Sequence, residues 1–240
     1  MASPITAPAM DHPGSGVEQA IRYYSHFTSV PPFSTTADLA EWFVSADNGG
    51  TNTIADANPN GVLRITPGTS ASDYRSMQLN GEAFGLHASR NITIKTRIRT
   101  NDADDIKFAV GLFTTASGTL AAVGPVLDGV TNSVGFRNVA GNTTTFLSIT
   151  EDDTTETTNT AGTLADSTWT DLRIDVYGTT KVVFWVNGAV VATHTTNLPD
   201  SGDGLTLTFE VGSPTGSTAT YLDVDYIDVV ASPISVANGG

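Results

Sequence analysis

Three aspartates, Asp223, Asp225 and Asp228, stand in the segment LDVDYIDVV near the C-terminal end of the sequence. Paired carboxylates are the usual equipment for cleaving a glycosidic bond, one as nucleophile or base and one as acid. In a regular strand Asp223 and Asp225 share a face and Asp228 takes the other. A retaining pair about 5–5.5 Å apart would therefore need a β-bulge between them. The apolar phase does shift, from Leu222 and Val224 to Ile227 and Val229, which leaves room for one. Solvent-facing structural aspartates are the simpler expectation.

Other chemistry has less to stand on. A Ser or Thr nucleophile needs a base beside it, and His12, His26, His87 and His194 all lie outside any Gly-x-Ser-x-Gly elbow. They read as surface or rim histidines. The acidic groups Asp102/Asp104/Asp105, Glu151/Asp152/Asp153 and Asp200/Asp203 suit calcium chemically. None has EF-hand spacing, so solvated acidic turns are expected and no metal or cofactor is assigned. Sugar binding asks for aromatic rings flanked by amides and carboxylates. Trp185 is the best candidate, ahead of Trp169 and Tyr177, because its face of the hairpin opposes that of Phe184.

The elements that position these residues are clearest over residues 169–195. Leu172, Ile174 and Val176 alternate with Arg173, Asp175 and Tyr177, the period of a strand buried on one face. After a turn at Gly178, the run 182–186 meets Asn187-Gly188, the strongest short hairpin signal, and continues through 189–193. That turn predicts Val186 opposite Ala189, Phe184 opposite Val191 and Val182 opposite Thr193. Further short strands are expected at 62–65, 74–79, 91–99, 106–113, 131–138, 144–149, 205–211 and 222–229, punctuated by Gly, Asn, Asp and Ser. Such spacing means a sandwich or barrel rather than βαβ units.

Upstream, Met1 to Gly16 carries Pro4, Pro8 and Pro13 and reads as an extended arm, with Ile5, Met10 and Val17 as apolar anchors for a neighbouring subunit. Residues 17–27 read as one or two helical turns. Residues 35–42 read as a short helix with Asp38 and Glu41 as a capping pair, leading to Trp42 and Phe43 at one end of the core. The expected division is an arm over residues 1–26, a sandwich over 27–231 and a tail over 232–240.

Composition narrows the partners. The 240-residue chain has a formal net charge of −14, a pI near 4.3 and no cysteine. Disulfides and thiolate chemistry are excluded, and nucleic acid or an anionic membrane would be repelled. The N-terminal stretch lacks the basic start and apolar run of a signal peptide.

The order of Trp169, an alternating strand, a hairpin at Asn187-Gly188, a strand ending Thr193-His194-Thr195, then Asn197-Leu198-Pro199 and a final Leu222-Asp-Val-Asp-Tyr-Ile-Asp-Val229 strand resembles the concanavalin A-like, or laminin-G-like, jelly-roll domain. More narrowly, it resembles the version in virion proteins of tailed bacteriophages. The resemblance spans residues 27–230 and implies an all-β antiparallel β-sandwich with the extended N-terminal arm. It also implies a non-enzymatic capsid decoration (cement) protein on the outer surface of the virion. Its partners would be the major capsid protein and its own copies, as a homotrimer. A carbohydrate- or receptor-binding module is the alternative. Related laminarinase-type hydrolases would make Asp223 the nucleophile, Asp225 a helper and Asp228 the acid, though their catalytic strand uses Glu and lies mid-domain.

Overall fold

The computed structural model describes residues 20–31, 33–34, 41–46, 49–56, 61–70, 73–81, 83–114, 130–138, 143–153, 155–212 and 220–233. Within them there is no helix, and the strands form two sheets that pack face to face as a β-sandwich. The first sheet runs β14 (Ala189–His194), β13 (Lys181–Val186), β12 (Thr170–Tyr177), β7 (Arg90–Thr100), β16 (Leu222–Pro233), β5 (Val62–Thr66) and β4 (Thr51–Asp56). A further strand, β1 (Ile21–Ser25), joins it along the upper part of β16. The second sheet runs β11 (Thr155–Thr163), β10 (Thr145–Asp152), β9 (Ser133–Asn138), β8 (Lys107–Phe113), β15 (Thr206–Gly212), β6 (Tyr74–Leu79), β3 (Trp42–Ala46) and β2 (Phe33–Ser34). Every pairing is antiparallel except β2 with β3.

The core lies between the sheets. Ile92, Ile94 and Ile98 of β7 and Leu172, Ile174 and Val176 of β12 face Phe108, Phe136, Phe146 and Phe209 of the second sheet, all essentially buried. Phe136 and Phe184 meet edge to face across the layers at 5.3 Å, a favoured arrangement of ring quadrupoles. Trp42 is fully buried and its Nε1 donates to the Tyr23 hydroxyl at 3.2 Å, which ties β3 to β1 across the sandwich. Phe43 points to the opposite side of β3, so only one of the two aromatics plugs the core.

One expectation for the upstream stretch changes. Residues 21–25 are strand rather than helical turn, because Tyr23 is the inward residue of a two-residue period and its backbone pairs with β16 from Ile227 to Ala231. The expected helix at 35–42 and the arm residues Ile5, Met10 and Val17 lie largely or wholly outside the described residues, as does His12; Trp42, at the end of that run, is in β3.

The hairpin keeps its turn but not its full register. Asn187 and Gly188 both have positive φ, 49° and 79°, as a type I′ turn requires, and Val186 faces Ala189. Between Phe184 and Trp185 the register shifts by one, so Phe184 faces Ala192 and Val182 faces His194. That bulge turns His194 inward, where it is 1% exposed, correcting its reading as a rim histidine.

Its partners come from the second sheet: Thr150 Oγ1 lies 3.0 Å from Nδ1, and Ser148 Oγ and Asn159 Nδ2 lie 3.2 and 3.1 Å from Nε2. The Asn159 amide can only donate, so Nε2 accepts, and Nδ1–H donates to Thr150, whose hydroxyl donates to the Thr196 carbonyl at 3.2 Å. The ring is neutral in this network, and burial lowers its pKa. In the unfolded chain His194 gains its proton near pH 6.5; in the fold it does so only at lower pH. The network's contribution is therefore complete above about pH 6.5 and declines as pH falls toward the folded value. The stability difference between wild type and His194→Asn, from denaturant unfolding between about pH 7.5 and 5, should shrink as pH drops, by up to about 1.4 kcal/mol per unit; a difference independent of pH would contradict this assignment.

Candidate functional site

The three aspartates of β16 are arranged by a bulge. Pairing with β7 shifts register between Val224 and Tyr226, so Asp225 is the extra residue. The bulge falls where β16 changes partners along its other edge, with Val224 still opposite Leu63 of β5 and Ile227 already opposite Ser25 of β1. Leu222, Val224, Ile227 and Val229 consequently all point into the core. Asp223, Tyr226 and Asp228 take the outer face with Asp225 at its kink.

Each carboxylate meets an arginine. Asp223, whose side chain is 0% exposed, accepts a two-pronged contact from Arg64 (Nε–Oδ1 2.7 Å, Nη2–Oδ2 2.9 Å) and two more hydrogen bonds from Arg99 (Nη2–Oδ2 2.7 Å, Nε–Oδ2 3.2 Å). Asp225 accepts from Arg97 at 3.3 Å. Asp228 accepts from Arg22 at 2.8 and 3.0 Å. The hydrogen bond with Asp223 raises the Arg64 pKa against the opposing effect of burial. A sealed carboxylate whose two oxygens already accept four charge-assisted bonds presents no lone pair to a substrate. The group is an ion-pair ladder.

Cross-strand register extends this ladder over the whole outer face. Trp185 of β13 stands opposite Arg173 of β12, then Lys95 of β7, Asp228 of β16 and Tyr24 of β1. A neighbouring row carries Asp171, Arg97 and Tyr226, and another carries Arg99, Asp223, Arg64 and Thr53. Trp185 is half-buried, and the Arg173 guanidinium lies 5.2 Å from its ring centre. Arg173 in turn reaches Asp175, which also accepts from Thr93 at 2.9 Å. The Trp169 ring has the guanidiniums of Arg97 and Arg99 against it at 5.0 and 4.5 Å, Tyr221 has Arg64 at 3.5 Å, and Tyr177 has the Lys181 ammonium at 4.7 Å. His26 adds edge contacts to Tyr24 and Tyr226 at 4.9 and 6.0 Å. The Tyr226 pKa is raised by burial first and then by Asp171 and Asp225.

Of the 3 tryptophans and 6 tyrosines, Trp169, Trp185, Tyr24, Tyr177, Tyr221 and Tyr226 are on this face, while the phenylalanines described in strands of the second sheet and in β13 point elsewhere. Rings with a polar tip suit a surface that is half apolar and half wet.

The outer face of the second sheet differs. Ser76, Thr206, Thr208 and Glu210 are 0% exposed and Gln78 is 2% exposed, with Gln78 donating to Thr208 at 3.0 Å. Beside them Ala109, Phe113 and Ile149 form a separate small apolar cluster. These side chains are withdrawn from solvent.

The acidic groups hold no metal arrangement. Among the described residues no set of three or more His, Asp or Glu side chains is placed to bind an ion. Burial raises the Glu151 pKa, helped by Glu156, which pairs with Arg137. Asp152 is raised by burial and then by Asp200, Asp153 and Asp203, so two clusters distant in sequence converge at one edge. Asp102 is raised by burial and then by Asp104. His87 is exposed and shares a 2.8 Å hydrogen bond with Ser89.

Sheet order, antiparallel pairing and the inward and outward alternation define a concanavalin A-like jelly roll. The chain belongs to the SO2946-like family, whose C-terminal domain matches residues 58–228. No curated protein matches it in sequence. The solved structure of SO2946 from Shewanella oneidensis MR-1, a protein of unknown function, superposes with a TM-score of 0.55 at 11% identity, covering 98% of this chain and 100% of that one. Endo-1,3-beta-glucanase from Streptomyces sioyaensis superposes with a TM-score of 0.58 at 16% identity, over 93% and 99%. The carbohydrate esterase vb_24B_21 from the Shiga toxin-encoding bacteriophage phi24B gives 0.51 at 15%, over 81% and 91%. The carbohydrate recognition domain of Emp46p gives 0.53 at 8%, over 86% and 98%.

Removing the carboxylate at the centre of the ladder leaves two guanidiniums facing each other. Asp223→Ala should lower the unfolding free energy by about 3 kcal/mol, the low end for breaking a buried pair, because Arg64 and Arg99 keep 28% and 29% exposure. Chemical denaturation measures it, and a loss within about 0.5 kcal/mol, typical of an ordinary surface site, would show the triad to be dispensable.

Proposed function

We propose that this protein is a non-catalytic carbohydrate-binding domain and that the outer face of the first sheet is its binding surface. One observation carries the reading: six polar-tipped aromatic rings lie interleaved with guanidinium and carboxylate groups on a face braced by cross-strand pairing. Rings take the apolar face of a sugar and fixed charged groups take its hydroxyls. A rigid sheet holds both in place before the ligand arrives, which reduces the ordering cost of binding. The relatives in shape whose names refer to carbohydrate, namely a phage carbohydrate esterase, a glucanase and a carbohydrate recognition domain, support the carbohydrate part of this reading.

The same geometry argues against hydrolysis by this group, since Asp223 is sealed between two arginines and Asp225 and Asp228 are each ion-paired with one. Attachment to a phage particle, as a decoration protein or a receptor-binding module, is a compatible second reading favoured by the phage esterase. Detection of the polypeptide in purified virions by mass spectrometry, with its copy number, tests it.

The binding reading is tested by isothermal titration against a panel of soluble glycans. At least one should bind, and Trp169→Ala together with Trp185→Ala should weaken it about tenfold or more, at about 1–3 kcal/mol for lost ring contacts, with thermal unfolding still cooperative. Failure of every glycan to bind, or unchanged affinity in the double variant, removes this surface as the site. Release of reducing sugar by wild type would overturn the non-catalytic part.

A further inference from the structure

We infer that the ligand of this face is an acidic glycan, a sugar chain carrying carboxylate groups; this rests on the carbohydrate reading and sharpens it. The first ground is the distribution of charge. The chain has 11 Lys and Arg against 25 Asp and Glu. The outward positions of β1, β5, β7, β12, β13 and β16 hold seven of those cations, Arg22, Arg64, Lys95, Arg97, Arg99, Arg173 and Lys181, against five carboxylates, Asp171, Asp175, Asp223, Asp225 and Asp228. By subtraction the remainder of the chain holds four cations and twenty acids. Most of the chain's cations are gathered on one face of a strongly negative molecule, so that face is where a polyanion meets the least repulsion.

The second ground is what covers the rings. Trp169, Trp185, Tyr177, Tyr221 and Tyr24 each already have a cation over their ring, at 3.5 to 5.2 Å. A ring with a guanidinium against it holds that group flat and in place before a ligand arrives. A guanidinium held against a ring keeps N–H donors at its rim, and their natural counterpart is a carboxylate.

The third ground is uncommitted charge. Among the described residues no carboxylate is ion-paired with Lys95 or Lys181. Lys95 stands at the middle of the face, between Arg173 and Asp228. Along β7 it forms a fixed line with Arg97 and Arg99, with steps of about 6.6–6.8 Å for every second residue. A flexible polyanion can lay successive charges along such a line.

The test compares polygalacturonate, the same polymer with its carboxyl groups methyl-esterified, and neutral β-1,3-glucan, by titration at about 0.05 and 0.5 M salt, a range over which screening shortens from about 14 to about 4 Å. Polygalacturonate should bind about tenfold or more tightly than its ester. Its affinity should fall about tenfold at high salt and by a similar factor in Lys95→Gln/Lys181→Gln, whose thermal unfolding should match wild type. Equal binding of acid and ester would overturn this inference and leave the carbohydrate reading standing; no binding of any polymer would sink both. Equally tight binding of DNA would identify a general polyanion surface and overturn the glycan assignment. A salt-sensitive dimer, seen by light scattering and lost in the double lysine variant, would make a second copy of this chain the occupant and overturn it too.

Discussion

A strand that must bury apolar side chains on one face and hold charge on the other tolerates no error of phase. In β16 that phase is set by the single extra residue at Asp225. Without it, Ile227 and Val229 would turn to solvent and Asp228 would turn into the core, at a cost far above what folding leaves to spare. The bulge can sit there because β16 exchanges one edge partner for another at that point, so no continuous ladder is broken on that side. The core below and the ion pairs above both follow from this one irregularity.

The charged face is more than a collection of surface ion pairs, which taken singly contribute little. Asp223 is sealed and shared between two arginines from different strands, β5 and β7. Those arginines lie over Tyr221 and Trp169, residues that precede β16 and β12. Charge, ring and strand order thus constrain each other across four segments distant in sequence. The guanidinium forks lose little freedom when a ligand arrives, because they have lost most of it already.

How much of this was legible in the sequence depends on whether a signal was local. The alternation in residues 91–99 and 172–176 and the Asn187-Gly188 turn need only neighbouring residues to be understood, and each is found where expected. The phase shift in β16 was visible for the same reason. The slip in β14 was not, because Val190, Val191 and Ala192 are all apolar and no period separates one register from the next; the choice is made by Ser148, Thr150 and Asn159 waiting for His194. Strand β11 reads TETTNTAGT and lies at the edge of its sheet, and Ala161 is its one buried apolar residue, too little to mark a period. Strand β1 is too short for a period to declare itself, and its evidence lies in β16, some two hundred residues away. The clustering of cations was legible strand by strand but became a surface only once β12, β7, β16 and β5 were known to be neighbours.

The pairing of β1 with β16 has a mechanical consequence. Ile21 lies opposite Ala231, so the polypeptide enters and leaves this sheet side by side at one pole of the sandwich. Tension drawn between the two flanks acts crosswise to the strands and parts their hydrogen bonds pair by pair, as a zipper opens, instead of shearing them all at once. A load that reaches the sandwich through Ile21 and one that reaches it through Ala231 therefore meet at the same pole.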